Sequence, residues 1–220
     1  ENCGVSHSTL QGKPRPGTVG YPYDGVLSRI DPENDEIQVW SPGTMLGYYK
    51  EPEQTRSAFT ADGWLRTGDK GVLDAEGGLR ISGRVKDLFK TSKGKYVTPA
   101  PIEDKLVMHT AVEACCVTGA NLGQPLGIVM LNLDAVQRTA VASERTALEA
   151  SLAAHLESIN ALLDPHERLD CLVVVSQPWT VESGLITPTF KVRRNRVEDV
   201  YAPYYDRWLV ERRSVIWHEA

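Results

Sequence analysis

The sequence has 220 residues, is 41% hydrophobic and 24% charged, and carries a formal net charge of −5 with four cysteines. This is the balance of an ordinary soluble chain of one or two domains, and its acidic excess argues against a general nucleic-acid binder, which presents a basic surface. No apolar stretch approaches the ~20 residues that a membrane-spanning helix needs.

From Tyr21 to about Ser82, short apolar runs alternate with turn chemistry. Residues 25–30 and 36–40 flank Asp31-Pro32-Glu33-Asn34-Asp35, and Ser41-Pro42-Gly43 turns again. Residues 71–74 and 79–82 flank Ala75-Glu76-Gly77-Gly78 as a second hairpin. The pattern predicts a small twisted antiparallel sheet or partial barrel. After Gly83 the texture becomes mixed. Pro101 opens a short helix through Ile102, Leu106 and Val107. Residues 112–118 and 127–133 read as buried strands. Leu148, Leu152, Leu156, Ile159 and Leu163 recur at the spacing of an amphipathic helix. Thr146 and Glu149 are a candidate capping box, with a start nearer Ser143 as the alternative, and Asp164-Pro165 is the stop. Residues 169–176 read as a strand. A polar loop at Glu182-Ser183-Gly184 leads to a closing helix from about Arg193 to Leu209, bent near Pro203. The fold class is α+β: a β-rich part over 1–83, a boundary at 84–87 and an α+β domain over 88–220.

Cys3, Cys115, Cys116 and Cys171 contain no Cys-x-x-Cys pair, which speaks against zinc. Cys115 and Cys116 read as small buried hydrophobes on opposite faces of one strand. This usage fits a reducing cytosol. His7, His109, His155, His166 and His218 show no metal spacing and read as surface or packing residues. The five tryptophans are too scattered for a stacking platform and read as core or interface.

Three stretches carry chemistry. In Trp64-Leu65-Arg66-Thr67-Gly68-Asp69-Lys70-Gly71 a carboxylate stands beside a glycine, where it can accept two hydrogen bonds from a ribose diol; a turn Asp bonding its own backbone is the plainer alternative. Residues 83–95 hold Arg84, Lys86, Lys90, Lys93 and Lys95 with Gly83 and Gly94. That density suits anionic phosphates, and a solvated hairpin has the same composition. In Thr187-Pro188-Thr189-Phe190-Lys191-Val192-Arg193-Arg194 one lysine follows a glycine-containing loop and precedes a helix. A loop so placed can bring an ammonium to developing charge; taken alone it is an ordinary basic helix start. The basic cluster from Lys191 to Arg196 is explained the same way, without nucleic acid.

In this order and spacing, the motifs resemble the AMP-forming acyl-adenylate superfamily: acyl-CoA synthetases, luciferases and peptide-synthetase adenylation domains. Residues 41–55 are similar to the family's glycine–tyrosine stretch ending in Pro-Glu-x-Thr. Gly17-Thr18-Val19-Gly20 is similar to the glycine-rich turn before it, and Glu1 to the last residue of the family's Tyr-Gly-x-Thr-Glu motif. The resemblance covers essentially the whole chain. Residues 89–96 and 185–191 look like the long-chain fatty acyl-CoA ligase branch. Many other branches carry Gly where Phe190 stands.

The resemblance implies an AMP-forming acid–thiol ligase. Such enzymes join a carboxylic acid to ATP, release pyrophosphate, and pass the acyl group to coenzyme A, the C-terminal domain rotating between the half-reactions. Residues 1–83 would end the large N-terminal adenylation domain, Lys86 with Asp87 would be the hinge, and 88–220 would be the domain that swings. Asp69 would hold the ribose hydroxyls and Arg84 the ribose and nearby phosphate. Lys191 would serve adenylation, Lys90 would serve thioester formation, and Glu1 would help hold Mg²⁺. The implied ligands are ATP or AMP, Mg²⁺, coenzyme A and a fatty acid. The phosphate loop, adenine pocket and acyl tunnel would belong to an upstream part of the chain, so the fragment alone is expected to be inactive, whether its truncation is engineered or proteolytic. The expected location is cytoplasmic; long-chain ligases allow peripheral membrane contact, for which this sequence carries no marker. Alternatives are an adenylation domain that loads a carrier protein and a non-catalytic module that retains the fold.

Overall fold

Turn chemistry builds the first half of the chain. Asp31 Oδ1 accepts from the amide of Glu33, Asn34 Oδ1 from that of Glu36, and Asp35 takes a left-handed backbone at φ 60°. This reverses the chain between two runs rich in β-branched and aromatic residues. In the computed structural model, which describes residues 1–2, 6–9 and 14–219, the chain divides into two units, Glu1–Lys86 and Asp87–Ala220. Cys3 lies outside the described residues.

In the first unit β1 (His7–Ser8) pairs antiparallel with β2 (Tyr21–Pro22). A four-stranded antiparallel sheet follows in the order β3 (Leu27–Ile30), β4 (Glu36–Trp40), β5 (Leu65–Leu73) and β6 (Leu79–Arg84). Ile37, Val39 and Leu79 are its buried core, with Val19, Val26 and Ile30 packed around them. Between β4 and β5 lies a helix that the hydrophobic pattern did not announce, α1 (Pro52–Ala58). Its signal is chemical: Pro52 stands in the first turn, where its missing N–H costs nothing. The strand β5 begins six residues before the expected hairpin arm, because the Thr-Gly-Asp segment itself pairs with β4 and β6.

In the second unit a short hairpin, β7 (Phe89–Lys90) with β8 (Tyr96–Val97), precedes α2 (Pro99–Leu106). The helix starts two residues before Pro101, with Pro99 in its first turn. Then come β9 (Val112–Thr118), β10 (Leu126–Leu131), α3 (Leu133–Arg138), α4 (Ala142–Asn160), β11 (Leu172–Val175), α5 (Arg194–Tyr201), α6 (Tyr205–Glu211) and β12 (Val215–His218). The sheet runs β12-β11-β10-β9; β9 and β10 are antiparallel, while β10–β11 and β11–β12 are parallel.

The period-2 rule explains the layering. Cys115, Val117, Val129, Leu172, Val174 and Val215 face one core with Leu106, Leu152, Leu156 and Ile159 of α2 and α4. Their neighbours Cys116, Ile128, Val173, Val175 and Ile216 face the other, with Val197, Tyr201, Tyr205 and Trp208 of the α5–α6 segment. The sheet is therefore covered on both faces, as its near-continuous apolar strands require. The three described cysteines are buried free thiols. Burial pushes Cys116 and Cys171 up to about 12 and raises Cys115 as well, so they are inert packing groups.

Several boundaries differ from expectation for identifiable reasons. The capping box at Thr146 and Glu149 does not form. The helix α4 starts four residues earlier, so Thr146 is inside it and donates to the carbonyl of Ala142. Glu149 is instead engaged by Trp217 Nε1 and Arg213. The helix stops at Asn160, before Asp164-Pro165, because the Asn160 amide bonds both backbone groups of Leu169. The strand expected over 127–133 ends at Leu131; Asn132 caps α3 by accepting from the amide of Ala135. The closing helix is two helices joined by a 3₁₀ turn, Ala202–Tyr204, at Pro203. Trp179 and Trp208 are core residues, whereas Trp40 is 45% exposed.

Candidate functional site

In the first unit the Thr-Gly-Asp turn is held from behind by Glu36, only 5% exposed. Its Oε1 accepts from the amide of Gly68 at 3.0 Å and its Oε2 from Arg66 at 3.0 Å. Thr67 Oγ1 donates to the carbonyl of Ile37 at 2.7 Å and accepts from the amide of Asp69 at 3.1 Å. Gly68 takes φ +73°, a conformation that disfavours a side chain. Two residues further, a bulge falls between Lys70 and Gly71. A methyl group on Gly71 would stand 2.7 Å from Ile37 Cδ1 and 2.8 Å from the carbonyl oxygen of Arg80.

This backbone frame leaves the Asp69 carboxylate free to face sideways. Asp69 lies directly across from Arg84 in the β5–β6 register, and Arg84 Nε meets Asp69 Oδ1 at 3.1 Å. A carboxylate that accepts from hydroxyls and a guanidinium whose Nη fork suits a phosphate thus stand side by side on one sheet edge. The pair sits just before the 3₁₀ turn Val85–Asp87, which contains Lys86 and Asp87. Glu1 is elsewhere on this unit: its carboxylate accepts from Tyr48 Oη and its carbonyl from the amide of Met45.

In the second unit Lys90 is exposed on the β7–β8 hairpin, paired with Tyr96, its Nζ 5.4 Å from the ring centre. The tip closes through Thr91 and Gly94, the latter at φ +78°. Asn121 and Leu122 tie the hairpin to the β9–β10 turn through the carbonyl of Lys90 and the amide of Ser92. Lys191 is exposed on a different loop. There the amide of Thr187 donates to the carbonyl of Lys191 at 2.8 Å, that of Phe190 to the carbonyl of Thr187 at 2.8 Å, and Ile186 bridges Val192. Phe190 is left with φ +59°. A left-handed backbone costs an L-residue roughly 1–2 kcal/mol, a cost that glycine would not carry. Just beyond, Arg194 pins the start of α5 to β9: it bonds the carboxylate of Glu103 at 2.8–2.9 Å and the carbonyl of Val117 at 2.6 Å. Glu103 also accepts from the amide of Val117 at 2.7 Å. Burial is the largest single influence and opposes the charge of Arg194, yet the hydrogen bond to Glu103 and the surrounding negative charges together outweigh it and hold the guanidinium above its ordinary pKa.

The profile described as the AMP-binding enzyme C-terminal domain matches residues 86–208. The chain belongs to this AMP-binding enzyme family. It is 31% identical over 80% of its length to a peroxisomal long-chain acyl-CoA synthetase of Arabidopsis thaliana, and 30% identical over 84% to a long-chain-fatty-acid–CoA ligase of Mycobacterium tuberculosis. It spans 27% and 33% of those enzymes, respectively. An anthranilate CoA ligase solved with anthranoyl-AMP superposes with a TM-score of 0.69 at 27% identity, over 91% of this chain and 38% of that one. The α+β architecture is that of adenylate-forming enzymes.

The first unit thus brings two of the expected residues together, and the second does not. Asp69 and Arg84 are in contact; Lys90 and Lys191 stand on separate loops of the second unit, and no contact joins Glu1 to the Asp69–Arg84 pair among the described residues. Sequence reasoning passed over Glu36, which orders the Thr-Gly-Asp turn from 32 residues away, and Tyr48, which holds Glu1. The acidic residue opening an apolar strand, in Glu36-Ile37-Gln38-Val39, was the available signal for Glu36. A buried carboxylate needs donors.

Proposed function

We propose that this chain is the C-terminal part of an AMP-forming acyl-CoA ligase acting on a fatty acid. The carrying observation is the division of labour in its basic residues: Lys90 and Lys191 project from two different anchored loops of one unit, and a carboxylate–guanidinium pair is preformed on the other. In this reading Asp69 accepts hydrogen bonds from the ribose diol of ATP, and Arg84 offers its remaining donors to the ribose and the adjoining phosphate. Lys86 and Asp87 absorb the backbone rotation that presents first one lysine loop and then the other. Lys191 meets the charge that builds as the carboxylate oxygen attacks the α-phosphate, which is where a fixed cation lowers the barrier most. Lys90 serves the second step, in which the coenzyme A thiol displaces AMP from the acyl-adenylate.

Mg²⁺, when bound, neutralises phosphate charge. Among the described residues no three His, Cys, Asp or Glu side chains form a metal-sized group. Glu1 fits as a single carboxylate ligand whose partners come from the triphosphate, water and the upstream part of the ligase. Among the described residues no helix is long and apolar enough to cross a membrane. The buried free thiols suit a reducing compartment such as the cytosol.

The test uses the full-length ligase and fatty acids of varied length. Lys191→Ala lowers ATP–pyrophosphate exchange by about 10²–10³, while Lys90→Ala lowers thioester formation and spares exchange. The isolated 220-residue chain forms no adenylate. If neither substitution matters, or the wild-type ligase forms no adenylate, the reading fails; transfer to a carrier-protein thiol in place of coenzyme A replaces the second step only.

A further inference from the structure

Phe190 combines an exposed large apolar side chain with a left-handed backbone, two features that occur together at no other described residue. It is 80% exposed, although Leu185, two residues before Thr187, is buried in the core and Ile186 and Val192 pack against that core. It also holds a left-handed backbone, φ +59°, that favours glycine. The turn that imposes this φ is well bonded. Its backbone closes between Thr187 and both Phe190 and Lys191; Thr187 Oγ1 accepts from the amide of Lys191 at 3.1 Å and bonds Thr189 Oγ1 at 3.0 Å. The base is therefore fixed, and the phenyl ring projects from its tip beside the exposed Pro188. Both features disfavour the unit taken alone: a residue without a Cβ would relax the backbone, and a polar one would suit the solvent. Backbone strain at an exposed aromatic directly beside a lysine of the candidate site points to a second state in which the ring is covered.

We propose that Phe190 is a positioning residue: its ring seats on the upstream part of the ligase, absent from this chain, and thereby aims the neighbouring Lys191 during adenylation only. The proposal rests on the function proposed above. The occupant follows from two facts. The ring adjoins a lysine assigned to a reaction centre whose larger part lies upstream, and this chain spans only 27–38% of the relatives compared with it. A side chain at residue 190 travels with Lys191, so covering it restrains the ammonium directly, through one intervening peptide. When the hairpin carrying Lys90 serves the second half-reaction, the ring is released.

The experiment uses the full-length ligase carrying Phe190→Ala, Phe190→Gly or Phe190→Leu. ATP–pyrophosphate exchange is measured beside thioester formation from supplied acyl-adenylate. Loss of one buried aromatic contact lowers exchange by about tenfold or more in the Ala and Gly variants, in kcat more than in KM for ATP, with thioester formation within about twofold of wild type. Leu restores most of the exchange, because it refills the apolar seat. The Gly variant separates function from folding: it relaxes the backbone, so the melting temperature of the 220-residue chain stays level or rises while exchange falls. Unchanged exchange in the Ala and Gly variants, an equal fall in both half-reactions, or a loss that Leu does not restore overturns the proposal and leaves the ligase reading standing. A wild-type enzyme that forms no adenylate instead removes the ligase reading, and this one with it.

Discussion

Replacing Arg194 by Leu removes a guanidinium that makes a charge-assisted pair with Glu103 at 2.8 Å and a 2.6 Å hydrogen bond to the carbonyl of Val117. Both partners are largely buried, so water cannot take the place of the missing donors. Glu103 keeps only the amide of Val117, and the carbonyl of Val117 loses its guanidinium donor. Leaving such a carboxylate buried without its cation costs about 3–5 kcal/mol. The pair itself is worth less than that, because Arg194 was desolvated to make it and its buried Nε has no partner among the described residues. The double variant Arg194→Leu with Glu103→Leu therefore costs only about 1–3 kcal/mol, the penalty for the unpaired backbone groups of Val117. Urea unfolding of the 220-residue chain followed by far-UV circular dichroism reads this unit preferentially, since most of the helix lies in it. The single variant lowers the urea midpoint and, in a thermal scan of the same signal, the melting temperature by roughly 10 °C or more, and the double variant recovers part of both. A single variant within about 1 kcal/mol of wild type, or a double variant worse than the single, refutes the argument. The start of α5 and the Lys191 loop beside it share this anchor, so the single variant also blurs the position of Lys191.

Gly71→Ala places a methyl against Ile37 and the carbonyl of Arg80. Because the carbonyl belongs to the paired strand and cannot step aside, the first unit loses about 1–3 kcal/mol; an unchanged melting temperature would show that the bulge has more room than its distances allow. His218, 7% exposed against Tyr204 and Trp208, has its pKa lowered by burial and then by Arg207. A folded pKa below the unfolded one means that the unfolded chain binds the proton more readily, so stability falls as pH drops through about 6.5 toward the folded value. His7 and His109 are shifted in the same direction by burial. Thermal melts between about pH 7.5 and pH 5.5 should decline with acidity, and less steeply for His218→Phe; an identical slope in both proteins would exclude His218 as a contributor.

Local chemistry made much of this protein legible. Asp-Pro and Gly-Gly punctuation marked the hairpins of the first unit, and the three-and-four spacing of Leu152, Leu156 and Ile159 marked the face that α4 buries. The candidate site motifs stood out through their order along the chain and the family resemblance that order carries; each taken alone has a plain structural reading. Short elements were not. The strand β12 is four residues long, too short to display a period, and α3 is announced only by its Asn132 cap. The proposed capping box failed because Glu149 had a better offer from Trp217 and Arg213, 68 and 64 residues further along.

The sequence by itself determined the α+β class and the alternation that sends Cys115 and Cys116 to opposite cores, since each follows from spacing along the chain; the candidate site residues came from the family resemblance of their motifs. Tertiary structure alone decided which of those residues meet. Glu36 orders the turn that presents Asp69, Arg84 faces Asp69 only because of the β5–β6 register, and Arg194 finds Glu103 from 91 residues away. Those partnerships join groups on elements distant in the chain, and burial makes them specific, because a charge taken out of water must find its counterpart wherever the fold brings one.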